Sequence, residues 1–236
     1  MQAVLLAGGL GTRLKSVVND RPKPMADVCG KPFMEYLILE LKKHGITDIV
    51  LAVGYKGEMV EEYFGNGEQL DVHIEYSYEK EQLGTAGAIK NAGQYIKESE
   101  FFVLNADTFY QAAYSDAIDL YKSENMDMAL VLRKVPDVSR YGSVKLDNHM
   151  IIGFNEKVSD HISGVINGGI YLMRKTVLAL IPEGKKCSLE NEIIPQMLAE
   201  KKKLGAVVNE GYFIDIGVPN DYFKFINDVE QKNIEF

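Results

Sequence analysis

The chain has 236 residues, with 26 Lys and Arg against 34 Asp and Glu, for a formal net charge of −8. That balance argues against a nucleic-acid backbone or an anionic membrane as partner, since both need a basic face. Only Cys29 and Cys187 are present, far apart, which excludes a disulfide framework and a cysteine zinc site. No apolar run approaches the roughly 18 residues of a membrane span. Met1-Gln2-Ala3-Val4 is not the start of a signal peptide, having no basic region before a cleavable apolar stretch. The expectation is a cytoplasmic protein that handles something small.

In chain order, residues 3–7 form a continuous apolar run, as in a strand buried on both faces. Met34, Leu37, Ile38 and Leu41 follow at helical spacing, and Gly45 sits where a C-terminal cap belongs. A second buried strand is predicted over 49–53, and a short helix over 57–64 closes at Gly65-Asn66-Gly67. Val72, Ile74, Tyr76 and Tyr78 alternate as in a strand with one wetter face. Residues 85–96 read as a helix and 101–104 as another buried strand. Beyond Ser123, strands are predicted at 128–132, 143–146, 151–154 and 168–173, with Asp147-Asn148 as a hairpin turn. Helices over 189–201 and 219–231 close the chain, the last with Pro219 in its first turn. Alternating strands and helices predict an α/β sandwich with a mainly parallel sheet, to which the second half adds strands.

Directly after the first strand stands Leu6-Ala7-Gly8-Gly9-Leu10-Gly11-Thr12-Arg13-Leu14. Glycines there let the backbone approach a ligand and turn its amides toward phosphate oxygens. The dinucleotide pattern fails, because Leu14 stands where a third glycine is needed and no acid closes the second strand. The P-loop pattern fails too, since Gly30-Lys31 is followed by Pro32. A glycine turn alone is as often structural as functional. Arg13 within the loop, and Lys23 between Pro22 and Pro24, supply the cations that a phosphate ligand wants.

With these two elements the chain resembles the sugar-1-phosphate nucleotidyltransferases, whose signature is a Gly-Gly-x-Gly-Thr-Arg loop followed by Pro-Lys-Pro. The resemblance continues through Leu83-Gly84-Thr85-Ala86-Gly87, Leu104-Asn105-Ala106-Asp107-Thr108, Tyr141-Gly142, Glu156-Lys157, Asn167-Gly168-Gly169-Ile170-Tyr171 and Phe213-Ile214-Asp215-Ile216-Gly217. Two positions depart from the pattern: Ala106 stands where Gly is usual, and Val158 where Pro is frequent. Within the family, several stretches are most similar to the heptose 1-phosphate guanylyltransferases. The resemblance implies a single-domain, Rossmann-like three-layer sandwich with a mixed, mainly parallel sheet. Residues 1–110 would form its nucleotide-binding part and 111–236 its sugar-binding part.

The implied reaction joins a nucleoside triphosphate, expected to be GTP, to a sugar 1-phosphate, expected to be the heptose, and releases pyrophosphate. The resemblance gives catalytic roles to Arg13, Lys23 and Asp107. It implies a nucleotide site made of Leu6, Ala7, Gly8, Gly9, Gly11, Thr12, Arg13, Lys23, Gln82, Gly84, Thr85 and Asp107. Tyr141, Gly142, Glu156, Lys157, Asn167 and Gly169 would bind the sugar phosphate, and Asp107 and Asp215 would hold Mg²⁺. Taken singly, each has a plain structural reading: Asp107 as a turn residue, Asp215 as a strand end, Glu156-Lys157 as an exposed charged pair, Asn167-Gly168 as a hairpin turn. His44, His73, His149 and His161 show no ligand spacing and read as surface or packing residues. The alternatives are a mannose-1-phosphate guanylyltransferase, a glucose-1-phosphate thymidylyltransferase and, from another class, a non-catalytic sugar-nucleotide-binding regulatory subunit. Oligomeric state stays open, a homo-oligomer included.

Overall fold

Along the central strands, successive side chains go to two different cores, and this alternation sets the layering. In the computed structural model, residues 1–9, 11–139, 143–155 and 162–236 are described. The strands, in chain order, are β1 (Gln2–Leu6), β2 (Asp27–Val28), β3 (Lys31–Pro32), β4 (Asp48–Val53), β5 (His73–Tyr78), β6 (Glu100–Asn105) and β7 (Thr108–Tyr110). They continue with β8 (Met128–Val135), β9 (Ser143–Asp147), β10 (Met150–Asn155), β11 (Gly164–Arg174), β12 (Leu204–Asn209) and β13 (Phe213–Asp215). The helices are α1 (Phe33–Lys43), α2 (Gly57–Phe64), α3 (Gly84–Ala92), α4 (Tyr114–Ser123), α5 (Ile194–Ala199) and α6 (Pro219–Glu230).

Nine strands form one sheet in the order β5-β4-β1-β6-β11-β8-β12-β10-β9. Strands β5, β4, β1 and β6 are parallel neighbours, as are β8 and β12, whereas β11 and β10 run against their neighbours. Ala3, Leu5, Ile49, Leu51, Phe102 and Leu104 face a core shared with α1, α2, α4 and α6. Val4, Val50, Ala52, Phe101 and Val103 face the other, closed by α3 and α5. A strand buried on both faces must be apolar throughout, which is why these runs were continuous in the sequence. The three-layer, mixed and mainly parallel sandwich is therefore as expected, and the later strands do join the same sheet.

Several boundaries differ from the sequence reading, each for a local reason. α3 ends at Ala92, where Gly93 caps it, rather than running to residue 96. The predicted helix 189–201 opens as a π-helical turn, Leu189–Ile193, capped by the Ser188 hydroxyl accepting from the Asn191 N–H at 3.1 Å. Pro195 at the start of α5 has no N–H to donate back, so the wide turn precedes it. Asn167 and Gly168 are not a hairpin turn; they form an irregularity within β11, where its register against β8 shifts between Asn167 and Ile170. A Cβ on Gly168 would stand 2.6 Å from the Tyr110 ring and 2.7 Å from the Val131 carbonyl, so the bulge needs glycine. Asn148 does lie in the tight β9–β10 turn, at φ 54°.

The short antiparallel pair of β7 and β13 is separate from the nine-stranded sheet and is held by α6. Phe225 of α6 is fully buried, with ring centroids 5.0 Å from Phe33, 5.6 Å from Tyr36 and 5.4 Å from Phe109. Truncating such a side chain loses burial and leaves a cavity. Phe225→Ala is expected to cost about 3–5 kcal/mol, read as a lower denaturation midpoint in urea; a cost below 1 kcal/mol would show that α6 is not a structural strut.

Candidate active site

The glycine loop leaves the carboxyl end of β1 between β4 and β6, at the sheet edge where open α/β folds place their ligands. The Ala7 N–H still donates to the Ala52 carbonyl at 2.8 Å, and the chain then turns away from the sheet. Gly54 backs the loop: a Cβ there would lie 3.1 Å from the Gly8 carbonyl oxygen. Gly11 takes φ +55°, and a Cβ on it would come within 2.8 Å of the Lys23 Cβ. Glycine at 11 thus provides the left-handed turn and lets the lysine lie against the loop. The next residues, Thr12–Leu14, form a 3₁₀ turn anchored by buried Leu14, from which Arg13 projects exposed.

Lys23 opens a second 3₁₀ turn, Lys23–Met25, entered from extended Pro22. Its side chain is only 7% exposed, and its ammonium donates to Asp107 Oδ2 at 2.9 Å and to Asp215 Oδ1 at 3.4 Å. Asp107 stands between β6 and β7, and Asp215 ends β13. Pairing of Asp215 opposite Thr108 brings the two carboxylates together. Ala106, where glycine was the usual residue, is fully buried, donates its N–H to the Leu6 carbonyl at 3.2 Å and has no positive φ, so the turn tolerates alanine. Asp215 Oδ1 also accepts the Gly217 N–H at 2.7 Å. A Cβ at Gly217 would lie 3.1 Å from Arg13 Nη2, so the guanidinium packs beside this turn.

Burial and then the nearby Asp107 charge hold the Asp215 carboxyl above its ordinary range, against the pull of Lys23, the Gly217 amide and Arg13. Asp107 is 41% exposed and opens to the cleft. Two carboxylates that crowd each other, one of them still open to solvent, are an oxygen donor set suited to a hard divalent cation.

One half of the cleft is walled by Ala7, Gly11, Arg13, Lys23, Pro24 and Gly217. The other is walled by Gly8, Glu79, Gln82, Gly84, Thr85 and Ala88, with Asn105 and Lys186 beyond. Leu6, Gly9 and Asp107 border both. The structure therefore gathers Leu6, Ala7, Gly8, Gly9, Gly11, Arg13, Lys23, Gln82, Gly84, Thr85 and Asp107 around one space, with Thr12 in the adjoining turn and Asp215 on Lys23. Gly169, at φ +75°, would put a Cβ 2.9 Å from Asn105 Nδ2. Asn167 and Gly169 thus lie at the same sheet edge, supplied by the beginning of the reversed strand β11. Tyr141, Gly142, Glu156, Lys157, Val158 and His161 lie outside the described residues.

A part-buried polar chain links the two sides. The Thr85 hydroxyl donates to Glu190 Oε2 at 2.8 Å, and the Tyr171 hydroxyl donates to Glu190 Oε1 at 2.7 Å. Asn167 Nδ2 donates to the Tyr171 oxygen at 2.6 Å, and Asn167 Oδ1 accepts the Gly169 N–H at 3.0 Å. Burial first, and Glu190 second, push the Tyr171 phenol well above its usual range, so it stays a donor. A carboxylate only accepts, so the Tyr171 proton points to Glu190, its oxygen accepts from Asn167, and the Asn167 amide orientation follows.

Sequence reasoning missed Glu79, Ala88, Lys186 and Pro24 as lining residues. Asn105 and Gly217 were inside motifs already quoted, and Pro24 was noted only as a neighbour of Lys23. Glu79 carried no signal, being one acid after an alternating strand. Among the described residues, Asp48, His73 and Glu75 can also bring ligand atoms within 4.8 Å of one another. They sit at the amino ends of β4 and β5, the opposite edge of the sheet, and Glu75 is paired with Lys97 at 2.8 Å. That group is no part of this cleft.

Residues 2–232 match the family described as nucleotidyl transferase, and the chain belongs to that family. A "D-glycero-alpha-D-manno-heptose 1-phosphate guanylyltransferase" of Campylobacter jejuni is 45% identical over 229 residues, covering 96% of this chain and 99% of that one. A relative with the same name from Aneurinibacillus thermoaerophilus is 40% identical over 224 residues, covering 95% and 96%. The crystal structure of HddC from Yersinia pseudotuberculosis complexed with GMP-PN matches with a TM-score of 0.85 at 38% identity, covering 97% of this chain and 99% of that chain.

The environment of Asp215 carries a stability consequence. Its folded pKa is raised, so the folded protein binds this proton more readily than the unfolded chain does. The ionised carboxylate therefore costs stability, and the cost grows as pH rises from the unfolded value of 3.8 through the folded one. Asn at this position keeps an acceptor for the Gly217 N–H without the charge. In metal-free buffer at pH 7, Asp215→Asn is expected to melt at or above the parental Tm, with the difference shrinking toward pH 4. A lower Tm at pH 7 would contradict this reading of the site.

Proposed function

We propose that this nucleotidyltransferase joins GTP to D-glycero-α-D-manno-heptose 1-phosphate, giving GDP-heptose and pyrophosphate. The observation that carries the reading is the cluster of Lys23, Asp107, Asp215 and Arg13 around one cleft beside the glycine loop. The two relatives named for this reaction, matched along nearly the whole of both chains, support the substrate pair.

The nucleophile is a phosphate oxygen of the sugar 1-phosphate, already anionic because its second pKa is about 6. It attacks the α-phosphorus in line with the bond to the bridging oxygen; that bond breaks, and pyrophosphate leaves with the oxygen and its electron pair. No general base is needed, and the barrier is one of bringing two polyanions together, so positioning and charge stabilisation carry the catalysis. Arg13 and the amides of Gly9, Gly11 and Thr12 hold the triphosphate tail and the departing pyrophosphate. Lys23 has three donors, so it can keep its carboxylate contacts and still reach an α-phosphate oxygen. Asp107 and Asp215 would hold Mg²⁺, which when bound neutralises charge on the phosphates.

The base lies over Leu6, Ala7 and Gly8, beside Gln82, Gly84 and Thr85, all within the 1–110 part. In the 111–236 part, Lys157 and the segment at Tyr141 and Gly142 receive the sugar phosphate, while Glu156, Asn167 and Gly169 meet the sugar hydroxyls. No helix among the described residues is long and apolar enough to cross a membrane.

The test is a pyrophosphate-release assay that crosses four nucleoside triphosphates with a panel of sugar 1-phosphates. GTP with the heptose 1-phosphate should give the highest kcat/KM; a higher value for any other pair would overturn the assignment. Asp107→Asn should lower kcat by about 100-fold or more at millimolar Mg²⁺ while the protein stays folded, since a neutral amide binds the ion poorly. Lys157→Ala should raise KM for the sugar 1-phosphate about 10-fold or more with GTP binding by calorimetry unchanged; a defect confined to GTP would assign this lysine to the other substrate.

A further inference from the structure

The two carboxylates of the cleft are tied to each other through backbone. β13 pairs with β7, and the Ile216 N–H donates to the Asp107 carbonyl at 3.0 Å. Lys23 arrives on a different segment. Its 3₁₀ turn runs through fully buried Ala26 into β2, which pairs with β3 in a two-stranded sheet of their own. A contact between β2 and the element that follows Asp215 sets this turn against the aspartates. α6 is that element, and it packs on both β13 and β2. Its fourth residue, Tyr222, is buried and donates its hydroxyl to the Asp27 carbonyl. Tyr222 stands seven residues after Asp215, and Asp27 four after Lys23.

The β2–β3 ladder leaves the Asp27 carbonyl free for an outside donor. Its partner across the ladder is Pro32, which has no N–H. Burial first, and the Asp27 charge second, hold the Tyr222 phenol above its usual range against the pull of Arg21, so it stays a donor. The next carbonyl along, that of Val28, accepts instead from the Tyr36 hydroxyl of α1 at 2.9 Å. Two tyrosines thus fasten consecutive carbonyls of one strand to two different helices. α1 contributes no wall to the cleft among the described residues, whereas α6 leads straight back to Asp215. The Lys23 contact to Asp215 is also the longer of its two, at 3.4 Å against 2.9 Å for Asp107. A small slip of α6 along β2 takes it out of hydrogen-bond range.

We propose that the Tyr222 hydroxyl is a positioning group of the active cleft: by tying the start of α6 to the Asp27 carbonyl, it sets the Lys23 turn against Asp215 and fixes where the Lys23 ammonium meets the α-phosphate. Tyr222 touches no substrate and acts through Lys23. This rests on the phosphate role given to Lys23 above, and adds the group that holds that lysine in register.

The experiment measures kcat and both KM values with the substrate pair that wild type turns over fastest. It compares wild type, Tyr222→Phe, Tyr36→Phe, Lys23→Met and the double variant Lys23→Met/Tyr222→Phe. Misplacing a catalytic group by a fraction of an ångström lowers turnover without removing ground-state contacts. Tyr222→Phe should lower kcat about 10-fold or more, with both KM values within about twofold of wild type and nucleotide binding by calorimetry unchanged. Tyr36→Phe removes an equivalent hydroxyl from the neighbouring carbonyl, and should keep the parental kcat at a similar loss of Tm. In the Lys23→Met background, Tyr222→Phe should cause no further fall in kcat, because the lysine through which it acts is gone. Parental kcat in Tyr222→Phe, an equal fall in Tyr36→Phe, or a full second fall in the double variant would overturn the proposal and leave the role of Lys23 standing. Parental kcat in Lys23→Met would overturn the phosphate role of Lys23 and the proposal with it. Should Lys23→Met not fold, the comparison of the two tyrosine variants decides alone.

Discussion

A single ammonium holds the active cleft together. Lys23 is almost fully buried and lies between two carboxylates, one just before β7 and one at the end of its antiparallel partner β13. Without it, Asp107 and Asp215 would face each other across a partly desolvated space, and one already resists ionisation. Much of the surrounding architecture serves this contact. Gly11 clears room for the lysine stem, Pro22 and Pro24 stiffen the turn that presents it, and the packing of α6 keeps the Asp215 strand in place. The arrangement is also the electrostatic answer to two polyanionic substrates. In the proposed reaction, cations supplied by the loop and its neighbour would meet phosphate charge, while the carboxylates keep those cations from being an unopposed cluster.

The cleft divides into a polar half beside Arg13 and Lys23 and a more apolar half beside α3. The polar half is built by the loop and turns that follow β1, on the side of α1, and the other half by the segment that leads from β5 into α3 on the opposite face of the sheet. The reversed strand β11 then closes the far side. Because it runs against β6, its first residues, rather than its last, arrive at the ligand edge, and the irregularity at Asn167 and Gly168 is what turns the Asn167 side chain toward Tyr171.

Much of this was legible from residue order. Strands β1, β4 and β6 are buried on both faces, so their apolar runs had no other reading, and the glycine loop and Pro22-Lys23-Pro24, singled out in the sequence, do line one cleft. Other features depend on contacts that no local pattern encodes. The π turn before α5 arises from Pro195 meeting the Ser188 cap, two features that a helical periodicity does not register. The strand at β12 is a short run behind three lysines and becomes a strand by pairing with β8. Glu79 looks like any solvent-facing acid after a strand; only the close approach of Gly8 buries it. Asn167-Gly168 had a hairpin's composition, and the Tyr110 ring and the Val131 carbonyl packed around Gly168 decided otherwise.

The sequence distances within the Lys23 contact have a kinetic meaning. Lys23 and Asp107 are 84 positions apart, and Lys23 and Asp215 are 192 apart, nearly the length of the chain. Neither contact can form by local closure, and the second requires β13 to find β7 across the strands and helices between them. Loop-closure entropy of that size is repaid only once most of the native surface is buried. The catalytic cluster therefore belongs to the completed fold and to no fragment of it, so a nascent chain released early carries the glycine loop but not the site.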